Sequence, residues 1–155
     1  MISGGETALV TGGSGGLGSA MVRMLASQGV NAIALSNDKA KLEALRDIPN
    51  VETVYMDVTE AAQIKAAFRD RPIDLVINAA GVLGVTGTLY SIPVESAQQI
   101  LDVNVMGVHN VLSAVVPGMV QRNRGHIINI GSLAGPYPST GQPMYSASKG
   151  AIHNM

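Results

Sequence analysis

One glycine-rich run near the N-terminus limits the choice of fold more than any other stretch. Thr7–Val10 is a short apolar segment that passes directly into Thr11-Gly12-Gly13-Ser14-Gly15-Gly16-Leu17-Gly18. Leu17, Met21, Val22, Met24 and Leu25 then recur at helical spacing until Gly29. Strand, glycine loop and helix in that order present bare backbone N–H groups at the positive end of a helix dipole. The run is therefore expected to cradle a phosphate, with Gly12, Ser14, Gly16, Leu17 and Gly18 as candidate contacts.

The rest of the chain repeats the alternation. Strands are expected at Ala32–Leu35, Val51–Met56 and Ile73–Asn78, and from His126 through Ser132. Helices are expected over Asp38–Arg46, from a Thr59 N-cap through Phe68, over Glu95–Gln121 and from Pro143. This β-α alternation implies an α/β fold, a doubly wound parallel sheet of about five strands, in one domain over residues 1–155. In such sheets ligands bind beyond the carboxyl ends of the strands, where Gly12–Gly18, Asp57, Asn78 and Ser132 all fall.

Composition excludes several alternatives. A net charge of −1 gives no electrostatic case for nucleic acid or an anionic membrane surface. Cysteine is absent, so there are no disulfides or thiolate metal sites. His109, His126 and His153 are too scattered to form a metal site. The start, MISGGETALVTGG, has no secretory pattern, and a cytoplasmic location is expected. Val103–Gln121 carries no formal charge, but it holds Asn104, His109, Asn110, Pro117 and Gln121 and reads as a core helix rather than a membrane span.

The stretch from Ile127 to Lys149 carries the chemistry. Ser132 follows the apolar Ile127–Ile130 run, and Tyr145 and Lys149 lie four residues apart on the last helix, on one face. A free phenol has a pKa of about 10, and bringing it near neutrality takes roughly 3–4 kcal/mol. A lysine ammonium about 5–6 Å away supplies on the order of 3 kcal/mol at an effective dielectric of about 20. Ser132 would hold the oxygen to which the phenol gives a proton. The trio suits alcohol–carbonyl interconversion, with a cofactor carrying the hydride.

Taken together, these features resemble the classical short-chain dehydrogenases/reductases, a Rossmann-type family. Thr11-Gly12-x-x-x-Gly16-x-Gly18 is similar to the family's cofactor-binding turn, and Asn78-Ala79-Ala80-Gly81 to its Asn-Asn-Ala-Gly element. Asn104, Ser132, Tyr145 and Lys149 match its catalytic residues. The resemblance implies that Tyr145 is the general acid/base and Ser132 orients the substrate oxygen. It implies that Lys149 tunes the tyrosine and bonds the nicotinamide ribose, while Asn104 holds a water linking Lys149 to solvent. Asp57 and Val58 would contact adenine, Asn78 would lie by the adenine ribose, and Ala79 and Gly81 would also bind the cofactor. Ser36 stands where NAD users carry Asp, and Asn37 where many NADP users carry Arg. NADP or NAD is expected, with a slight lean to NADP. A small alcohol or carbonyl compound is the expected substrate, and homo-oligomers are expected of the full-length form. The family runs to about 100 residues more than this chain, so a C-terminally shortened form with strands missing is expected. A dinucleotide-binding or interaction module without turnover is the alternative.

Overall fold

A computed structural model describes residues 2–155. Its five strands form a single parallel sheet: β1 (Thr7–Thr11), β2 (Asn31–Ser36), β3 (Val51–Tyr55), β4 (Leu75–Asn78) and β5 (His126–Asn129). Their spatial order is β3-β2-β1-β4-β5. The winding reverses between β1 and β4, and a crevice opens at that point. The helices are α1 (Gly16–Ser27), α2 (Lys39–Glu43), α3 (Ala61–Phe68), α4 (Val94–Leu101), α5 (Gly107–Gln121) and α6 (Pro143–His153).

Strand side chains alternate between two faces, and residue size differs between them. Ala8, Ala32 and Ala34 meet α1, α2 and the turn after α2 through Val22, Leu25, Leu42 and Leu45. Leu9, Ile33 and Leu35 meet α3 and α5 through Ile64, Phe68, Val111 and Met119. The small face lets the glycine turn lie close to the sheet: a Cβ on Gly13 would sit 2.8 Å from Ala34 Cα. Both cores are apolar, as expected of a parallel sheet covered on two sides. The apolar α4–α5 segment, long enough by composition to cross a membrane, has Val108, Val111, Ala114 and Val115 in the core.

Five expectations change. The Asp38–Arg46 helix runs only from Lys39 to Glu43, with Asp38 as its N-cap and a turn after it. The Ile73–Asn78 strand begins only at Leu75; Asp74 just before it still bonds Thr7 O and His126 N–H through its backbone, and its carboxylate accepts Thr7 N–H (3.0 Å) and pairs with Arg124 (3.3 Å). Thr59 does not cap α3; Glu60 stands at the N-cap, and Thr59 N–H and Oγ1–H both donate to Asp57 Oδ1 (2.9 and 2.7 Å). The Glu95–Gln121 helix is interrupted by a π turn over Asp102–Met106. The last strand stops at Asn129 rather than Ser132, and it pairs only with β4. Ile127 and Ile128 are therefore close to half exposed, at 44% and 46%.

Candidate active site

Two hollows adjoin at the carboxyl ends of β1 and β4. The first is a cleft of ≈ 350 Å³. Its floor is the glycine turn, held against the end of β4 by Thr11, whose buried Oγ1 accepts Ala79 N–H (3.1 Å) and Ala80 N–H (3.2 Å). Gly12 has φ +63°, and a Cβ there would lie 2.8 Å from Ala80 N. Both facts require glycine. Gly18 is needed for another reason: its Cβ would fall 2.1 Å from Gly12 O, so α1 could not seat on the turn. Gly16 faces open space, with nothing within 4 Å of a Cβ position.

The rim of the cleft is polar. Ser36 Oγ accepts from Ser14 Oγ (2.7 Å) and from Asp38 N–H (3.1 Å). Asn37 Nδ2 donates to Asp57 Oδ2 (2.8 Å). Burial pushes the Asp57 carboxyl up, but the Thr59 and Asn37 hydrogen bonds outweigh it and hold it below the ordinary carboxylate range. Asp57 therefore adds stability above the ordinary Asp pKa of about 3.9, and that contribution disappears as pH falls through the lowered value. An acid titration of thermal stability should show Asp57→Asn losing part of this slope.

The second hollow, ≈ 380 Å³, is lined by Tyr145, Lys149, Ile130 and Leu83 and shares Ala79, Gly81 and Val82 with the cleft. Lys149 is buried, and its Nζ donates to Ile130 O (2.7 Å) and lies 5.8 Å from the Tyr145 ring centroid. Burial pushes the Lys149 ammonium below its ordinary pKa. The two side chains thus share one hollow beside the cleft, as helical spacing on α6 requires.

The π turn explains what Asn104 does here. The wider turn presents Asn104, 1% exposed, to the loop after β4. Val82 N–H donates to Asn104 Oδ1 (2.8 Å), while Asn104 Nδ2 donates to Val82 O (2.9 Å) and to Ser148 Oγ (3.0 Å). Ser148, fully buried, in turn donates to Tyr145 O (2.7 Å). Both amide protons are spent on scaffolding, so one side chain ties together the long helix, the Gly81 loop and α6. Asn104→Ala is expected to cost about 2–3 kcal/mol, because it leaves the Val82 N–H and C=O without partners and removes the donor to buried Ser148 Oγ. A thermal melt checks this, and Asn104→Ser should recover little of the loss.

Not every expected residue joins the site. Ser132 does not line the hollow; its Oγ accepts Ala134 N–H (3.1 Å) within its own loop. Asn78 does not line the cleft: it is 3% exposed and donates to Asn129 Oδ1 on β5 (2.9 Å). Gly16, Leu17 and Gly18 also lie off the cleft lining, and Leu17 is 56% exposed. Ser14, Ser36, Asn37, Asp57, Val58, Ala79 and Gly81 do line it. Sequence reasoning missed Ser148 and Lys41. Ser148 gave no signal, since a serine beside a helix lysine is ordinary. Lys41 had one, its i+3 spacing from Asp38.

Comparison with known proteins assigns this architecture. The short chain dehydrogenase family model matches residues 6–155. The chain belongs to the short chain dehydrogenases. Within that family it is 37% identical over 151 residues to the NADP-dependent 3-hydroxy acid dehydrogenase YdfG of Salmonella typhi, covering 93% of this chain and 61% of the relative. It is 42% identical over 154 residues to an uncharacterized oxidoreductase of Myxococcus xanthus, covering 93% and 60%. A closed form of serine dehydrogenase complexed with NADP+ superposes with a TM-score of 0.91 at 34% identity, over 96% of this chain and 62% of that one. NAD+-bound xylitol dehydrogenase superposes equally well, at 0.91 and 30% identity, over 98% and 62%. This short chain dehydrogenase thus spans about 60% of the length of the curated relatives it matches.

Proposed function

We propose that the protein is an NAD(P)-dependent oxidoreductase that interconverts an alcohol and a ketone or aldehyde. One observation carries the reading. A phenol and a buried ammonium that lies 5.8 Å from its ring centroid share a hollow whose wall, Ala79, Gly81 and Val82, is also the wall of a glycine-floored cleft. The cleft fits a dinucleotide, because its floor is the glycine turn that leads into α1 and its rim carries the polar side chains of Ser14, Ser36, Asn37 and Asp57. Bound there, a nicotinamide dinucleotide supplies the hydride donor or acceptor.

Tyr145 is the general acid/base: it protonates the carbonyl oxygen in reduction and takes the hydroxyl proton in oxidation. Lys149 stabilises the negative charge left on the phenol oxygen, in a hollow where burial strengthens that attraction. Ser132 is assigned to orient the substrate oxygen once its loop turns Oγ away from Ala134 N–H. Apolar Ala79, Val82, Leu83 and Ile130 around the phenol favour an uncharged substrate. The names of the two NADP-linked relatives support NADP, the slight preference of the Ser36–Asn37 rim.

The test is NADPH oxidation across a panel of ketones, and NADP+ reduction across alcohols, comparing wild type with Lys149→Met. Turnover should fall by about 10²-fold or more in the variant. Stability should move the other way. Folding lowers the Lys149 pKa from its ordinary 10.5, so between the lowered value and 10.5 the unfolded chain binds the extra proton. Wild-type stability therefore rises with pH across that window. Lys149→Met should flatten the rise and melt no lower than wild type at neutral pH. A variant that kept its turnover would overturn the assignment of Lys149.

A further inference from the structure

We infer that Asn129 is a positioning residue for the reaction: clasped to Asn78, it fixes the Ile130 carbonyl that holds the Lys149 ammonium beside Tyr145. This rests on the proposed role of Lys149 and names what keeps that ammonium in place. The chain of contacts is short. Lys149 Nζ donates to Ile130 O (2.7 Å), its one hydrogen bond among the described residues. Ile130 lies one residue past the end of β5. Its N–H donates to Asn78 O (3.0 Å), and Asn129 Oδ1 accepts Asn78 Nδ2 (2.9 Å).

Asn78 and Asn129 face each other at the last rung of the β4–β5 ladder, so Asn78 grips this end of β5 by its backbone and by its side chain. Among the described residues β5 pairs with β4 alone, and no second strand steadies it. The grip has a cost: Asn78 Oδ1 is buried without a partner among the described residues. Turning that amide over would set two acceptor oxygens against each other, so the orphan oxygen is the consequence of aiming Nδ2 at Asn129. What the grip secures is charge. A carbonyl on Nζ favours the ammonium, in a hollow where burial disfavours it. Only Tyr145 and Lys149 titrate among the residues lining that hollow. Glu95 and Asp102, on α4 and the π turn packed against α6, do not offset the burial of Lys149, and the 131–135 turn over its backbone carries no charge. If the carbonyl drifts, the ammonium loses its support and Tyr145 its counter-charge.

The test follows the ammonium directly. The carbon-13 signal of Lys149 Cε, assigned by its loss in Lys149→Met, is titrated in wild type, Asn129→Ala and Asn129→Asp. Lys149 should titrate about one pH unit lower in Asn129→Ala. It should titrate no lower than wild type in Asn129→Asp, which keeps an acceptor for Asn78 Nδ2. Alcohol oxidation should follow. In Asn129→Ala the acidic limb of kcat, set by Tyr145, should move to higher pH, and kcat at neutral pH should fall roughly tenfold. The KM for the dinucleotide should stay within about twofold, and Asn129→Asp should recover most of the rate. If Asn129→Ala gives no cooperative melt, Asn129→Thr carries the same expectation, because its hydroxyl stops one atom short of Asn78 Nδ2 and β-branched residues suit a strand. An unmoved Lys149 titration in a folded variant would overturn the role of Asn129 and leave the oxidoreductase reading standing. A shifted titration in a protein whose wild type oxidises no alcohol would support the clasp and overturn the reaction proposed for it.

Discussion

Tyr145→Phe is expected to lower turnover by about 10²–10⁴-fold while leaving dinucleotide affinity within a few-fold. The substitution removes one oxygen and keeps the ring. The ring is what Lys149 Nζ faces at 5.8 Å, and the backbone carbonyl of residue 145 still accepts the Ser148 hydroxyl. Neither the register of α6 nor the wall shared with the cleft depends on the phenol oxygen. The loss should therefore appear in kcat rather than in the melt or the cofactor titration. Initial rates with reduced cofactor and a reactive ketone, alongside a thermal melt, separate the two effects. A variant with wild-type turnover would remove the proton donor from the proposed mechanism.

The second large effect is steric. Gly18→Ala places a Cβ 2.1 Å from Gly12 O and 2.8 Å from Gly12 C, both backbone atoms that cannot swing aside. Either α1 lifts off the turn or the turn leaves the end of β4. A cost of about 3 kcal/mol or more is expected, which lowers the melting temperature by roughly 10 °C for a domain of this size. Dinucleotide binding should be lost with it. Gly16→Ala is the matched control, because nothing lies within 4 Å of its Cβ. It should melt like wild type, or slightly higher. Equal melting losses in both variants would show that the turn is not packed as described.

The fold was legible wherever burial is two-sided. Leu9, Val10, Ala32–Leu35 and Val76 form near-continuous apolar runs, and a parallel sheet with helices on both faces demands that pattern. Boundaries were less legible, because polar side chains decide them. The Asp74 side chain holds Thr7 N–H and Arg124 where the strand begins, and Thr59 bonds the Asp57 carboxylate while Glu60 takes the N-cap of α3. Helical spacing was enough to bring Tyr145 and Lys149 together. Spacing could not show the π turn, since periodicity averages over a single extra residue, and that turn decides where the Asn104 amide points. Nor could spacing show that Asn78 looks toward Asn129 or that the Ser132 hydroxyl bonds its own loop. Those are choices between equally placed partners, made by local geometry.

The central claim is that the Tyr145–Lys149 hollow and the glycine-floored cleft form one reaction site. The most direct measurement uses NADPH deuterated at C4 of the nicotinamide, an uncharged ketone, and mass analysis of the alcohol formed. The account predicts deuterium on the carbinol carbon, from one face of the nicotinamide only, at a rate that collapses in Tyr145→Phe. Tight NADPH binding with no deuterium in any alcohol across the panel would contradict it.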